Sequence, residues 1–292
     1  MASTQQLKSR IRSVKSTKQI TKAMQMVAAS KMRRAQDATK GSKAYVAAAE
    51  NLLAYLSSQG ATDHHPLFVK RPIKSRLIIV IAADKGLAGA YNANVLKKYI
   101  ELLKKDDERG ITNHTIAVGR KASQFATRLK DTDIIGTYED IPDHPSGLTF
   151  HTILNVACDM YREQKVDAVT IIYTQFVSSM SQVATWMRLL PAGTPASSIV
   201  EELPNTIKDA TFEPSTSVVL DAVALRLVGS ELFQALLDAR ASEHSMRMLA
   251  MKNATDNASD LVDDLTLAMN KARQGAITQE LAEISGGAEA MK

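Results

Sequence analysis

Apolar residues recur along this chain with two different periods, and the changes between them divide it into parts. From about residue 4 to 58 the period is that of a helix, interrupted only by Gly41. Ser3 and Thr4 are acceptable N-cap residues at its start, and SSQG (57–60) ends it. Leu7, Ile11 and Val14 have coiled-coil spacing, and a second apolar set follows at Ile20, Met24 and Val27. Met24 and Met26 lie two positions apart, about 200° around a helix axis, so they point to nearly opposite sides. An ordinary surface helix keeps its apolar residues on one face. This one is expected to need two.

After a loop marked by HHP (64–66) and RP (71–72), short apolar runs alternate with helical stretches. RLIIVIAAD (76–84) has the continuous apolar character of a strand buried on both faces. A helix over 93–105 follows, then HTIAVG (114–119) and a short helix around 121–130. DIIGTYE (133–139), a helix at about 149–165 and DAVTIIYTQF (167–176) continue the alternation. This order predicts a parallel sheet with right-handed crossovers, to which SQVATWMRLLP (181–191) adds an edge strand. Pro191, Pro195, Pro204 and Pro214 then mark an exposed loop.

Beyond Pro214 there is no proline. Leu225, Val228, Leu232, Ala235, Ala239, Ser242, Met246 and Leu249 recur at spacings of three and four. A single helix of that length is several times a typical globular one and must pack on another helix. The N-terminal helix is the available partner. The expected fold is α/β with long helices: an antiparallel coiled coil of the N- and C-terminal helices plus a Rossmann-like α/β domain with a mainly parallel sheet. Its expected divisions are 1–60 (coil helix), 76–190 (α/β domain), 191–214 (loop) and 215–292 (long coil helix).

Charge sharpens this picture. Residues 1–43 carry eleven Lys/Arg and one acid, Asp37, a net +10 in a chain of 292 residues whose total is only +5. A basic arm without interleaved acids suggests an acidic partner, whether nucleic acid, anionic lipid or a protein surface. The helix lacks interleaved aromatics and any base-reading motif, which argues against nucleic acid. The single cysteine, Cys158, excludes an internal disulfide framework and reads as a small buried hydrophobe. The longest apolar run, LIIVIAA (77–83), is too short to cross a bilayer, so no direct membrane insertion is expected.

Candidate chemistry is sparse. DKGLAGAYN (84–92) is a Gly-rich turn that could offer N–H groups to a phosphate, but it has neither GxGxxG spacing nor GK[ST]. Gly86 and Gly89 are instead expected to make a tight turn and to allow close helix–sheet packing. His64 and His65 read as solvated loop residues and His244 as a surface residue; no histidine has metal-ligand spacing. Glu201–Glu202 and Asp263–Asp264 read as exposed surface, and no Ser or Cys sits in a nucleophile motif. An α/β nucleotide-binding enzyme with a coiled-coil extension remains the alternative.

The two ends are more specific. KAMQMVAASKMRRAQD (22–37) and MKNATDNASDLVDDLTLAMNKARQGAITQELAEISGGA (251–288) closely resemble the gamma subunit of F-type ATP synthases, bacterial type. ADKGLAGAYN and the strand before it match that family's central domain. The resemblance runs from near Leu7 to Ala288, with Ala88 standing where many members carry Cys; the loop 191–214 matches only at FEPS (212–215). It implies a non-catalytic rotor subunit, without a cofactor, that transmits torque between a membrane ion-driven ring and a catalytic hexamer. Implied partners are the alpha and beta subunits, the epsilon subunit and the membrane c-ring. The implied location is peripheral, on the cytoplasmic face of the bacterial plasma membrane. Carried over by position, the contacts to the beta subunits are Lys22, Met24, Arg33, Arg34, Arg247, Arg273, Gln274, Thr278 and Glu280. Ile277, Leu281 and Ile284 would form an apolar bearing, and Glu213 would face epsilon and the c-ring.

Overall fold

The computed structural model describes the chain except residues 1–3, 59, 130–131, 143–146, 194–212, 214 and 291–292; the side chains of 40–48, 50 and 286–290 also lie outside the description. Among the described residues the elements are α1 (Thr4–Ser58), β1 (Ser75–Ile81), α2 (Tyr91–Asp107), β2 (Thr112–Val118), α3 (Arg120–Ala126), β3 (Asp133–Tyr138), α4 (Leu148–Arg162), β4 (Ala168–Phe176), β5 (Gln182–Leu190) and α5 (Thr216–Ala290). They form two compact units, residues 1–28 with 247–292, and residues 29–246.

The larger unit is built on a five-stranded sheet in the order β3-β2-β1-β4-β5. The first four strands are parallel, and β5 pairs antiparallel to β4 at one edge. β1 lies at the centre and is buried on both faces. Leu77, Ile79 and Ile81 point into one apolar layer; Ile78 and Val80 point into the other. The alternation follows from the two-residue pleat of a strand, and it explains why the run reads as continuously apolar. Helices α2 and α3 cover the second face through Val95, Tyr99, Leu102, Ala122 and Ala126. The first face is covered by α4, by Leu53 and Leu56 of α1, and by the 220–239 stretch of α5.

Close backbone approach occurs at Gly119, not at the Gly86–Gly89 turn. A Cβ at Gly119 would lie 2.1 Å from the Ala82 carbonyl oxygen, at a φ of +92°, so only glycine fits where β2 turns past the end of β1. A Cβ at Gly86 or Gly89 would meet nothing within 4 Å. The packing expected of those two glycines is therefore absent, although Gly89 does take a positive φ of 55° for the turn. Ala88, between them, is the residue that packs, against Ala83, Tyr91 and Met246.

Two histidines expected at the surface are buried. His65 receives the Leu67 N–H on Nδ1, which leaves Nε2 to donate to Asp221 at 2.9 Å. His244 is 4% exposed, within a stretch of α5 from Ala241 to Ser245 that is buried on every side. Cys158 is buried in the core, as read from the sequence. Burial pushes its thiol up to about 11, against a smaller opposing effect of Arg162, so it stays protonated at physiological pH.

The smaller unit is a two-helix coil. The Thr255 hydroxyl donates to the Thr21 hydroxyl at 2.8 Å across its seam. Counting outward from that pair in opposite directions sets Ile11 opposite Leu265, Leu7 opposite Met269 and Thr4 opposite Ala272. Leu7 and Ile11 are buried, and Leu265, Met269 and Ala272 are half-buried. After Ala272 every described residue of α5 is exposed. Burial thus stops where α1 begins, which is the pattern of an antiparallel pair. On α1 the seam passes through Thr21, Gln25 and Ala28, and the second apolar set, Ile20, Met24 and Val27, lies off it. Ile20 and Val27 are each 58% exposed, and Met24 is half-buried. The three-and-four spacing running on from Leu7, Ile11 and Val14 reaches 21, 25 and 28, and small or polar side chains occupy those places.

One buried ion pair fastens the unit that contains the sheet. Arg76 Nε lies 2.7 Å from Asp106 Oδ2, Nη2 donates to Oδ1 at 3.2 Å, and Nη1 donates to the Thr170 hydroxyl. Both side chains are almost fully enclosed, joining the start of β1 to the end of α2. Asp106→Ala should therefore cost about 3–5 kcal/mol in urea unfolding, because it strands the guanidinium. Lys98→Ala, which removes an exposed pair with Glu101, should leave the transition where it is.

Candidate functional site

The residues assigned to partner contacts fall on two stretches of helix. On α1, Lys22, Arg33 and Arg34 are exposed. So are Lys8, Arg10, Arg12, Lys15 and Lys18, and no acid occurs on α1 before Asp37. The local reason is simple: the seam takes every third or fourth residue, and the lysines and arginines occupy the positions between. Beside them Ile20, Met26 and Val27 also face outward, Met26 at 65% exposure. The outer face of this coil therefore mixes cations with apolar side chains, while its seam holds small residues at Thr21, Ala28, Thr255 and Ala258.

On α5, Arg247 is half-buried. Arg273, Gln274, Thr278 and Glu280 are exposed, as are Ile277, Leu281 and Ile284. Helical spacing lines Arg273, Ile277, Glu280 and Ile284 along one stripe, with Gln274, Thr278 and Leu281 on the next. The polar and apolar candidates thus share one face and do not form separate zones. Thr278 already donates its hydroxyl to the Gln274 carbonyl at 2.9 Å, and Gln279 donates to Glu283 at 3.0 Å. The polar side chains of this stretch are partly satisfied along the helix itself, which weakens their grip on any one partner position.

Glu213 belongs to the larger unit. It is exposed and lines a cleft of about 480 Å³ with Ala49 and Leu52 of α1 and Val218, Val219 and Arg226 of α5.

The crevice at the carboxyl ends of β1 and β4, where the strand order reverses, is the place where a doubly wound sheet takes a nucleotide. Here α5 fills it. Ser242 donates to the Thr174 carbonyl at the end of β4, and Ser245 donates to the Ser179 carbonyl just beyond. Met246 packs against Ala83, Ala88 and Tyr91.

The sequence reading missed the group that closes this crevice. Arg240 Nη2 lies 3.3 Å from Asp84 Oδ2 and donates to the Ile141 carbonyl; Nη1 donates to Glu243 at 2.9 Å. Asp84 Oδ1 in turn accepts the backbone N–H of Arg120 and of Asp140. Burial by itself would lower the Arg240 pKa; the Glu243 carboxylate, with Tyr91 and Asp84, outweighs it and holds the guanidinium above its ordinary range. No local signal in the sequence marks it, because Asp84 and Ile141 lie about a hundred or more positions away along the chain.

Comparison with known proteins agrees with the geometry. The family model described as ATP synthase matches residues 3–291. The ATP synthase gamma chain of Stenotrophomonas maltophilia (strain R551-3) is 40% identical over 293 residues, and that of Moorella thermoacetica 41% over 292, each alignment covering 100% of both chains. Among solved structures, a chain of the Tetrahymena thermophila mitochondrial ATP synthase central stalk/c-ring superposes with a TM-score of 0.57 at 26% identity, covering 80% of this chain and 99% of that one. A chain of the Euglena gracilis mitochondrial ATP synthase shares the fold with a TM-score of 0.66 at 17% identity, covering 99% and 94%. With one family model spanning nearly all of its length and full-length relatives about two-fifths identical, the chain belongs to the ATP synthase gamma-chain family.

Proposed function

We propose that this chain is the central-stalk rotor of an ATP synthase, carrying torque between a membrane c-ring and a catalytic hexamer of alpha and beta subunits and so coupling proton translocation to ATP synthesis or hydrolysis. It supplies no catalytic residue. The observation that carries this reading is the end of α5: one helix continues past the coil with every described side chain from Arg273 to Ser285 exposed. A bare helix with Ile277, Leu281 and Ile284 turned outward calls for a surrounding apolar collar. Apolar contact lacks direction, so such a collar holds the helix in place without fixing its angle.

Coupling demands that the rotor touch each catalytic subunit differently at each angle, since only differential contact shifts a conformational equilibrium. The exposed cations of α1, with Arg247 and Arg273, offer an asymmetric charged surface for acidic loops on the beta subunits. Of those cations, Lys22, Arg33, Arg34, Arg247 and Arg273 are the contacts we assign to these loops, together with Met24, Gln274, Thr278 and Glu280. Glu213 and its cleft are assigned to the side that meets epsilon and the c-ring. No described helix is long and apolar enough to cross a membrane. We place the chain peripherally, on the cytoplasmic face of a bacterial inner membrane, held there through its partners.

Mixed with alpha and beta subunits, the chain should enter a stoichiometric complex that hydrolyses ATP; absence of any such complex on gel filtration would overturn the rotor reading. Arg33→Glu with Arg34→Glu should leave that assembly intact while lowering proton uptake per ATP hydrolysed by roughly twofold or more, because like charges would then face the acidic loops. Unchanged uptake per ATP would remove these two arginines from the contact.

A further inference from the structure

A rotor must transmit twist between its α/β domain and its long helix, and apolar packing alone is poorly suited to this. Apolar contact resists separation, but it is non-directional and tolerates sliding. The packing of α5 against the sheet is largely of this kind: Leu220, Ala224, Leu227, Val228, Leu232 and Ala235 lie in one continuous apolar layer with the strands. A directional lock is found where that layer ends. The Arg240 guanidinium has only 12% of its side chain exposed, and it reaches from α5 to two separate loops: Asp84 after β1 and the Ile141 carbonyl after β3. Its other nitrogen is tied back to Glu243, one turn along the same helix, with 5% of that side chain exposed.

The arrangement is more than a single ion pair. Asp84 already holds the loops after β2 and β3 together through the N–H groups of Arg120 and Asp140, so a pull on Asp84 reaches three strand ends at once. Arg120 adds an outer brace, donating to Glu139 and Asp140. The planar guanidinium fork fixes the angle at which the helix meets these loops, which a lysine could not do.

We propose that Arg240 is a positioning residue for torque transfer: it latches α5 to the strand-end loops through Asp84, in the crevice that a nucleotide would occupy in a related fold. The assignment rests on the rotor reading given above. It concerns neither the catalytic hexamer nor the outer surface of the coil, and it predicts a loss of coupling without a loss of assembly.

The test uses the complete enzyme in inverted membrane vesicles, with ATP hydrolysis and ATP-driven proton uptake measured on the same preparation. Arg240→Met should assemble and hydrolyse ATP, and its proton uptake per ATP should fall by about threefold, since it removes every directional bond of the latch. Arg240→Lys, which keeps the charge and loses the fork, should fall between Met and the parent. Val228→Ala, which thins the apolar layer on the same helix, should lower the melting temperature and keep the parent's uptake per ATP. Parent-like uptake per ATP in Arg240→Met would overturn the proposal, as would an equal loss in Val228→Ala. If Arg240→Met does not assemble, Arg240→Lys decides: a partial loss supports the latch and parent-like coupling refutes it. Failure of the rotor reading looks different, because the parent chain itself would then support no ATP-driven uptake.

Discussion

Stiffness depends on the seam between the two long helices. A helix of 75 residues, about 110 Å long, has no means of staying straight under load except a second helix laid along it. In the smaller unit the seam residues are Leu7, Ile11, Thr21, Gln25 and Ala28 on one side and Met251, Thr255, Ala258, Leu265 and Met269 on the other. Small residues at its centre permit close approach, and the Thr21–Thr255 hydroxyl pair adds a polar layer of the kind that fixes register in coiled coils. The large apolar residues displaced from the seam, Ile20, Met26 and Val27, are left on the outside. A seam with small side chains at its centre and an outer face both greasy and basic are two results of one arrangement.

This is also why the seam was hard to read. Hydropathy marks large apolar residues, which on this stretch are Ile20, Met24 and Val27; the packing positions hold Thr21, Gln25 and Ala28, which carry almost no such signal. The sheet was easier. β1 and β4 are buried on both faces, so every residue from Leu77 to Ile81 is apolar and the strand stands out against its surroundings. The edge strand β5 was legible from its position after the last crossover, whereas its antiparallel direction was not read. The burial of His65 and His244 was not legible. His65 depends on Asp221, 156 positions away, and nothing near either histidine in the sequence announces its neighbours. Arg240 was missed likewise, because its partners come from the loops after β1 and β3.

The sheet itself has a different use from the one its topology suggests. A doubly wound sheet offers a crevice at the point where strand order reverses. Here Ser242, Ser245 and Met246 of α5 fill it, and Arg240 closes it over Asp84. The features that elsewhere hold a ligand, a Gly-bearing turn and an acidic residue at the end of the central strand, here grip a helix. A binding fold serves as a socket for a shaft.

The central claim is that this chain turns inside a ring of catalytic subunits. The most direct measurement fixes the hexamer to a surface, attaches a bead to an exposed cysteine placed at Glu108 on the sheet-bearing unit, and follows the bead while ATP is supplied. The account predicts rotation in one direction, in three steps per turn, stopping when ATP is removed. A bead that only fluctuates, while the same complexes hydrolyse ATP, would contradict it.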